Sequence, residues 1–528
     1  MANEPSLEGV ILYVKQLVSE NNRNLSEKTM TFRLKSVNFE SKDLRLIAQG
    51  ADKRSNHFTV IIGKNGIGKS RLLTSIANTF LALDRWRHNL SRPRIRKNKN
   101  KHKNSETFSL KYEIDKAKME LFYQYNGVGS DNFMGGFVPP RKVLCTSVSP
   151  FDRFPVEKNI NLDKYDREIF EKNKIYRYIG SKNESGQFSS SGQINRVMES
   201  LIFATNKSQR ELNPLENVFY FLGYQPVIQA IYSFKQNKEK IDKLIHQEIS
   251  EGELFENYLN PVKVNPRRYE LERRKFRELN IIGRLSEAAR NVINRSENSD
   301  YKQLLFHLDF RRYGDQSWVV ELYEDISLLR QFKFLNLTDL LLLKSSLSDW
   351  IRLNEASSGE QCIVLTMLGI GSEITENSLI CIDEPEISLH PEWQERYIDL
   401  LTKTFSDVSG CHFILATHSP LILSRIGAAE SSVLLLDEGK TYSGRDYYKK
   451  SSDYQLVEAF KTPGYKNEYL TREALTIISQ LSSTGKMPSE YNDKLKTLRE
   501  ASELLEEDDP VKKLIKSIFE ALEVLKID

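Results

Sequence analysis

Val60-Ile61-Ile62-Gly63-Lys64-Asn65-Gly66-Ile67-Gly68-Lys69-Ser70 decides the reading of this chain. A β-branched run enters Gly-x-x-x-x-Gly-Lys-Ser, and a helix-forming segment follows from Arg71. Strand, glycine-rich loop and helix in that order form a phosphate-binding P-loop. Glycines let the backbone curl so that its N–H groups converge, and the helix N-terminus adds partial positive charge there. Gly63, Lys64, Asn65, Gly66, Ile67, Gly68, Lys69 and Ser70 are therefore candidate contacts to a nucleoside triphosphate. Lys69 would reach the β- and γ-phosphates, and the Ser70 hydroxyl would hold Mg²⁺. The bland alternative is a chance turn before a helix; the flanking elements and the partner motifs below argue against it.

Composition sets the outer bounds. A chain of 528 residues suggests two or more structural units. No apolar run approaches the ~20 residues of a membrane span. The start, Met1-Ala2-Asn3-Glu4-Pro5, lacks the basic-then-apolar form of a signal peptide, so a cytoplasmic protein is expected. Cys145, Cys362, Cys381 and Cys411 are isolated in apolar segments and read as reduced core residues. A net charge of +4 says little about partners, so local clusters must carry that argument.

Along the chain, residues 1–27 read as an N-terminal helix and 28–150 as the first lobe of an α/β head. Within that lobe, 85–103 holds nine Lys or Arg and no acid, and reads as an exposed loop. It is either a nucleic-acid patch or a solvated insertion. Residues 151–340 carry no chemistry-bearing motif and read as a mainly helical insertion. Dense α/β patterning returns over 341–448 as a second lobe, and 449–528 reads as helical, with Pro510 separating its last two helices.

A P-loop needs a carboxylate to hold its cation. Ser378-Leu379-Ile380-Cys381-Ile382-Asp383-Glu384 is an apolar strand ending in two acids, the Walker B pattern. Asp383 would bind Mg²⁺ with Ser70, and Glu384 would act as general base on the attacking water. Upstream, Ala356-Ser357-Ser358-Gly359-Glu360-Gln361 opens an apolar helix, which makes Ser357, Ser358, Gly359, Glu360 and Gln361 a second anion site. Downstream, the apolar strand Phe413-Ile414-Leu415-Ala416 ends in Thr417-His418-Ser419-Pro420. His418 is placed to hydrogen-bond a γ-phosphate; alone, it would read more readily as a structural residue at a strand end.

The hexad 356–361 resembles the signature motif of ABC-class ATPases, and the order of P-loop, signature, Walker B and switch histidine is that of the class. Asp383-Glu384-Pro385-Glu386-Ile387-Ser388-Leu389-His390-Pro391 resembles the SMC-like soluble ATPases of DNA repair and bacterial defence rather than transporter subunits. Within that group the chain is similar to Septu-type (PtuA-like) anti-phage ATPases, including retron-associated ones. The softer cues are Ser149-Pro150-Phe151-Asp152-Arg153-Phe154, Gly464-Tyr465 to Tyr469, and the helical C-terminus. The resemblance implies an ABC-class P-loop head in two lobes and an ATP- and Mg²⁺-dependent ATPase. It also implies a head-to-tail homo-oligomer in which the signature of one copy caps the γ-phosphate of another. The implied partner is an HNH nuclease (PtuB-like) held inactive until phage infection, with a retron reverse transcriptase and its multicopy single-stranded DNA where a retron is present.

Two departures follow. No Gln stands where the class has its Q-loop; Ser147 and Ser149 occupy that neighbourhood, and their shorter reach predicts slow turnover or ATP acting as a clamp. Overcoming-lysogenization-type relatives carry a C-terminal Toprim nuclease, but Leu434-Leu435-Leu436-Asp437-Glu438 is followed by no strand with Asp-x-Asp, so no nuclease is expected here. The rival readings are a DNA-repair or recombination ATPase that binds DNA directly, and an ATP-binding scaffold with little hydrolysis.

Overall fold

The computed structural model describes residues 31–49, 55–87, 108–115, 117–124, 127–129, 138–157, 174–183, 186–189, 191–250, 252–254, 274, 280–298, 300–311, 317–346, 349–427 and 430–524. The expected N-terminal helix and nearly all of the basic stretch 85–103 lie outside them.

The first lobe holds β1 (Phe32–Phe39), β2 (Lys42–Arg45), β3 (His57–Ile62), helix α1 (Lys69–Arg87), β4 (Phe108–Ile114), β5 (Ala117–Gln124), β6 (Gly127–Gly129) and β7 (Val143–Ser147). The middle section holds β8 (Tyr176–Tyr178), α2 (Gly192–Ala204), α3 (Gln209–Phe221), β9 (Tyr224–Phe234), α4 (Lys238–Ile245), α5 (Ile281–Arg295), β10 (Leu304–Asp309), α6 (Ser317–Gln331) and β11 (Leu335–Lys344). The second lobe follows with β12 (Trp350–Arg352), α7 (Ser358–Glu373), β13 (Leu379–Asp383), α8 (Pro391–Thr404), β14 (His412–Ala416), α9 (Pro420–Ser424), β15 (Ser431–Leu435) and β16 (Lys440–Ser443). The chain closes with α10 (Ser452–Glu458), α11 (Glu468–Thr484), α12 (Asn492–Leu504) and α13 (Pro510–Val524).

The architecture is α/β. Both lobes and β8 of the middle section feed one seven-stranded sheet of order β16-β15-β3-β14-β13-β7-β8, in which only β16 runs antiparallel to its neighbour. Its strands are apolar almost throughout because both faces are covered. On one face Ile61, Cys145, Cys381, Ile414 and Leu434 pack with Leu72, Ile76 and Phe80 of α1 and with the antiparallel sheet β2-β1-β4-β5-β6. On the other, Val60, Ile62, Leu144, Ile380, Ile382 and Leu415 pack with α7, α2, α3 and α8. Thus α1 and α7, the helices that begin at the P-loop and at the signature, lie on opposite faces.

The middle section is mainly helical, as expected, but it also carries an unexpected antiparallel sheet of order β10-β9-β11-β12, in which β9 pairs along much of its length with β11. The expected boundary at 340/341 falls inside β11. Pairing overrides composition here: the Leu-rich run 340–343 buries alternate residues against β9 rather than coiling. In the C-terminal helices Leu470, Ile477, Leu498, Ile515, Ile518 and Leu522 form a small core of their own. Pro510 opens α13, and Asp509 before it is fully buried, accepting from the Val511 and Lys466 backbone N–H groups at 2.8 and 3.0 Å.

At the entry edge of the large sheet, His57 of β3 and His412 of β14 are register partners with ring centroids 5.2 Å apart. His57 Nε2 meets Ser432 Oγ at 3.1 Å, and His412 Nε2 meets Thr59 Oγ1 at 2.9 Å while its Nδ1 accepts from the Leu34 N–H. Burial, reinforced by Arg33 and Lys35, pushes His57 down to about 3, and burial also pushes His412 far down. A histidine kept neutral in the fold stabilises above its unfolded value of ~6.5 and loses that contribution as pH falls toward its folded value. Thermal unfolding of the wild type between pH 6.5 and 4.5 should therefore lose about 1.4 kcal/mol per pH unit more than His57→Gln loses. Parallel curves would show that His57 does not carry the acid sensitivity.

Candidate nucleotide site

The site forms where four parallel strands end level. Register aligns Ile61 with Ala416, Ala416 with Asp383, and Asp383 with Ser147. The residues read as P-loop, Walker B and switch therefore leave the sheet side by side.

The loop after β3 turns through Gly66 (φ +80°) and Gly68 (φ +112°). The second lies outside the region L side chains adopt readily, and a Cβ there would stand 3.0 Å from an Arg71 guanidinium nitrogen and 3.3 Å from the Phe39 ring. Lys69 is buried; its Nζ donates to the Gly63 carbonyl at 2.7 Å and lies 3.4 Å from both the Lys64 carbonyl and His418 Nδ1. Ser70 Oγ donates to Asp383 Oδ1 at 3.2 Å. Sequence positions more than three hundred apart thus meet at one point. Lys64 and Ile67 belong to the same turn, Ile67 N–H reaching the Lys64 carbonyl at 3.3 Å. Among the described residues, none hydrogen-bonds the Asn65 side chain.

Glu384 follows β13 with φ +50°, and its N–H donates to the Ala416 carbonyl at 2.9 Å. This left-handed step breaks strand alternation, so both acids leave at the same strand end. Burial pushes Asp383 up to about 7 against the Ser70 hydrogen bond, and the carboxylates of Glu384, Asp152 and Glu386 add to the rise. A crowded carboxylate beside a hydroxyl is an oxygen donor set that suits a hard divalent cation such as Mg²⁺, whose charge would relieve the repulsion. Burial lowers Lys69, opposed by Glu386, Glu384, Asp383 and Asp437. Burial and Lys69 lower His418, which fits a neutral imidazole that accepts from the lysine.

The signature residues stand apart. Ser357 caps α7, its hydroxyl accepting from the Glu360 N–H, while Glu360 Oε2 accepts from the Ser357 N–H at 3.0 Å. Gln361 Nε2 turns back to the Ala356 carbonyl at 2.9 Å. Ser357, Ser358 and Glu360 are exposed, whereas Gly359 is buried with Ser388 carbonyl 2.7 Å from where a Cβ would be. Among the described residues, no hydrogen bond or ion pair joins 357–361 to 63–70.

Three site residues escaped the sequence reading. Asp437, just past β15, braces the P-loop: its Oδ2 accepts from the Lys64 N–H at 2.9 Å. Its signal, an acid ending an apolar strand, was the one that found Asp383. Asp152 is buried beyond β7, accepting from the Tyr178 hydroxyl and from the Phe154 N–H at 2.7 Å. Glu386 accepts from Thr417 Oγ1 at 2.8 Å and from the His418 N–H at 2.5 Å. Ser147 and Ser149, at the place of the absent Gln, are both buried.

A family model described as AAA ATPase domain matches residues 32–423, most of the chain and every site residue described above except Asp437. This chain belongs to the AAA ATPase domain family. Among curated proteins it is similar to the Retron Vc95 probable ATPase of Vibrio cholerae serotype O1 biovar El Tor, 30% identical over 89 residues, covering 15% of this chain and 17% of that protein. It is also similar to the Retron Ec83 probable ATPase of Escherichia coli, 30% over 115 residues, 20% of each chain. Protein ea59 of Escherichia phage lambda is 33% identical over 70 residues, 13% of each. The chain thus spans about a fifth or less of the length of the curated relatives it matches. SMC head domains from Pyrococcus furiosus, bound to the C-terminal domain of ScpA, and from Thermotoga maritima align over 78% of this chain and 96% of theirs, each at 13% identity, with TM-scores of 0.28 and 0.29. The fold assignment rests on the family match and the strand order.

Among the described residues no helix is long and apolar enough to cross a membrane. Strain of about 1–3 kcal/mol from a side chain at φ +112° should make Gly68→Ala weaken ATP binding about tenfold or more, as read by calorimetry. Unchanged affinity would show that the loop does not carry the phosphates.

Proposed function

We propose that this AAA ATPase domain binds ATP–Mg²⁺ and hydrolyses it slowly at a site shared between two copies. The observation that carries the reading is the meeting of Lys69, Ser70 and Asp383, with Ser70 Oγ 3.2 Å from Asp383 Oδ1. Gly63, Lys64, Asn65, Gly66, Ile67 and Gly68 would wrap the phosphates with backbone N–H groups. Lys69, released from its loop carbonyls, would neutralise the terminal phosphates. Ser70 and Asp383 would hold Mg²⁺, which supplies charge neutralisation when bound. Glu384 would take the proton of the attacking water, and His418 would hydrogen-bond the γ-phosphate.

The head-to-tail arrangement is supported by the placement of α1 and α7 on opposite faces and by the exposure of Ser357 and Ser358. Ser358 and Gly359 of one copy, at the N-terminus of α7, would cap the nucleotide of the other; Glu360 and Gln361 shape that helix start.

At the level of the cell, we infer an anti-phage role: an ATPase that restrains an HNH nuclease, with a retron reverse transcriptase and its single-stranded DNA as further partners. The similarity to two retron ATPases supports it. An HNH reading frame beside the gene would favour this assignment, and its absence would count against it. A scaffold that binds ATP with little turnover is the second reading, favoured by Ser147 pairing with Asp383 where a longer amide is the rule.

Glu384→Gln should block phosphate release and leave ATP-bound dimers visible by light scattering. A variant that stays monomeric with ATP–Mg²⁺ would overturn the shared site. For the wild type, phosphate release per chain should rise with protein concentration; release no faster than that of Glu384→Gln would favour the scaffold.

A further inference from the structure

We propose that Glu386 is a positioning residue that sets the switch histidine, clamping the outlet of β14 to the turn after β13. This inference rests on the ATPase reading of the site. Glu386 lies three residues past Asp383, in a tight turn where the Ile387 N–H reaches the Glu384 carbonyl at 3.2 Å and the Leu389 N–H reaches the Glu386 carbonyl at 3.0 Å. The turn leaves its carboxylate facing the neighbouring strand end, where each oxygen takes one donor. Oε2 accepts from Thr417 Oγ1 at 2.8 Å and Oε1 from the His418 backbone N–H at 2.5 Å. Thr417 is committed as well, because its hydroxyl oxygen accepts from the Ser419 N–H at 3.0 Å. Its proton is thereby directed at Glu386.

The chemistry explains why a carboxylate stands here. Two converging donors on adjacent residues call for two acceptor atoms on one rigid fork, and ionised acceptors form the shorter, stronger bonds. An apolar residue would leave the His418 N–H and the Thr417 hydroxyl unmatched in a partly buried place. The His418 imidazole, whose Nδ1 lies 3.4 Å from Lys69 Nζ, is thus held through its own backbone relative to Asp383 and Glu384. Glu386 hydrogen-bonds the switch segment and touches Lys69 and Asp383 through its charge alone. The part of its effect on turnover that Glu386→Gln retains would pass through His418.

A double-mutant cycle on the full chain tests this, with ATP affinity and kcat measured for wild type, Glu386→Ala, His418→Ala and the double variant. Misplacing the histidine should lower kcat by about tenfold to a hundredfold in Glu386→Ala relative to Glu386→Gln, which removes the same charge, with the ATP affinities of the two variants within about twofold of each other. The double variant should be no slower than His418→Ala. Glu386→Gln should keep kcat within about threefold, because its amide oxygen can accept from His418 and its amide nitrogen can donate to a reversed Thr417 hydroxyl. Thr417→Val, which removes one bond of the clamp, should fall between wild type and Glu386→Ala, and serves with Glu386→Gln where Glu386→Ala fails to fold. Multiplicative losses in the cycle, a Glu386→Gln as slow as Glu386→Ala, or a loss of ATP affinity equal to the loss of kcat would each overturn the proposal. Wild-type protein that releases no phosphate overturns the ATPase reading itself, a result distinct from an active wild type with multiplicative losses.

Discussion

Parallel pairing of four short strands governs everything else in this molecule. Strands β3, β14, β13 and β7 are hydrogen-bonded in one register, so a one-residue slip in any of them would swap its two faces. Both faces are buried, and neither can tolerate the slip. Apolar packing on the two sides is thus what holds Lys69, Asp383 and His418 within reach of one another. The geometry of the candidate site is a by-product of core packing, delivered at the strand ends.

What gathers there is electrostatically unbalanced. Asp383, Glu384, Glu386 and Asp437 all act on Lys69, and Asp152 adds to the charge felt by Asp383. Several acids against one buried ammonium is a poor arrangement for stability alone, since crowded carboxylates resist ionisation together. Hydrogen bonds offset part of the cost: Glu386 and Asp437 are each tied to a backbone N–H, and Asp383 to a hydroxyl. The remaining imbalance is one that a divalent cation would relieve.

The parts of the fold legible in the sequence were those where chemistry and burial coincide. β3 and β13 read clearly because an apolar run ends in residues with an evident task. His418 stood out in the sequence only through its order after Asp383, and the fold brings it to 3.4 Å from Lys69. The sheet β10-β9-β11-β12 did not read, because Leu340-Leu341-Leu342-Leu343 satisfies a helix as well as a strand and only the pairing with β9 settles it. Glu386 was invisible as a site residue for a different reason. Its partner Thr417 lies 31 positions away, and no local pattern announces a contact made across strand ends. Glu384 is intermediate: its identity was plain, but the left-handed backbone that turns it was not.

The C-terminal helices close on a core that shares few residues with the head. Apart from Val457 of α10, its buried members come from α11, α12 and α13 and the turn after α12. A unit that satisfies its own apolar surface makes few demands on the surface it stands on. Substitutions on its outer face, where Leu475 and Leu504 are already exposed, leave the strand register of the head untouched. A loss of packing in this small core would therefore loosen the helices before it disturbed the strand ends of the head.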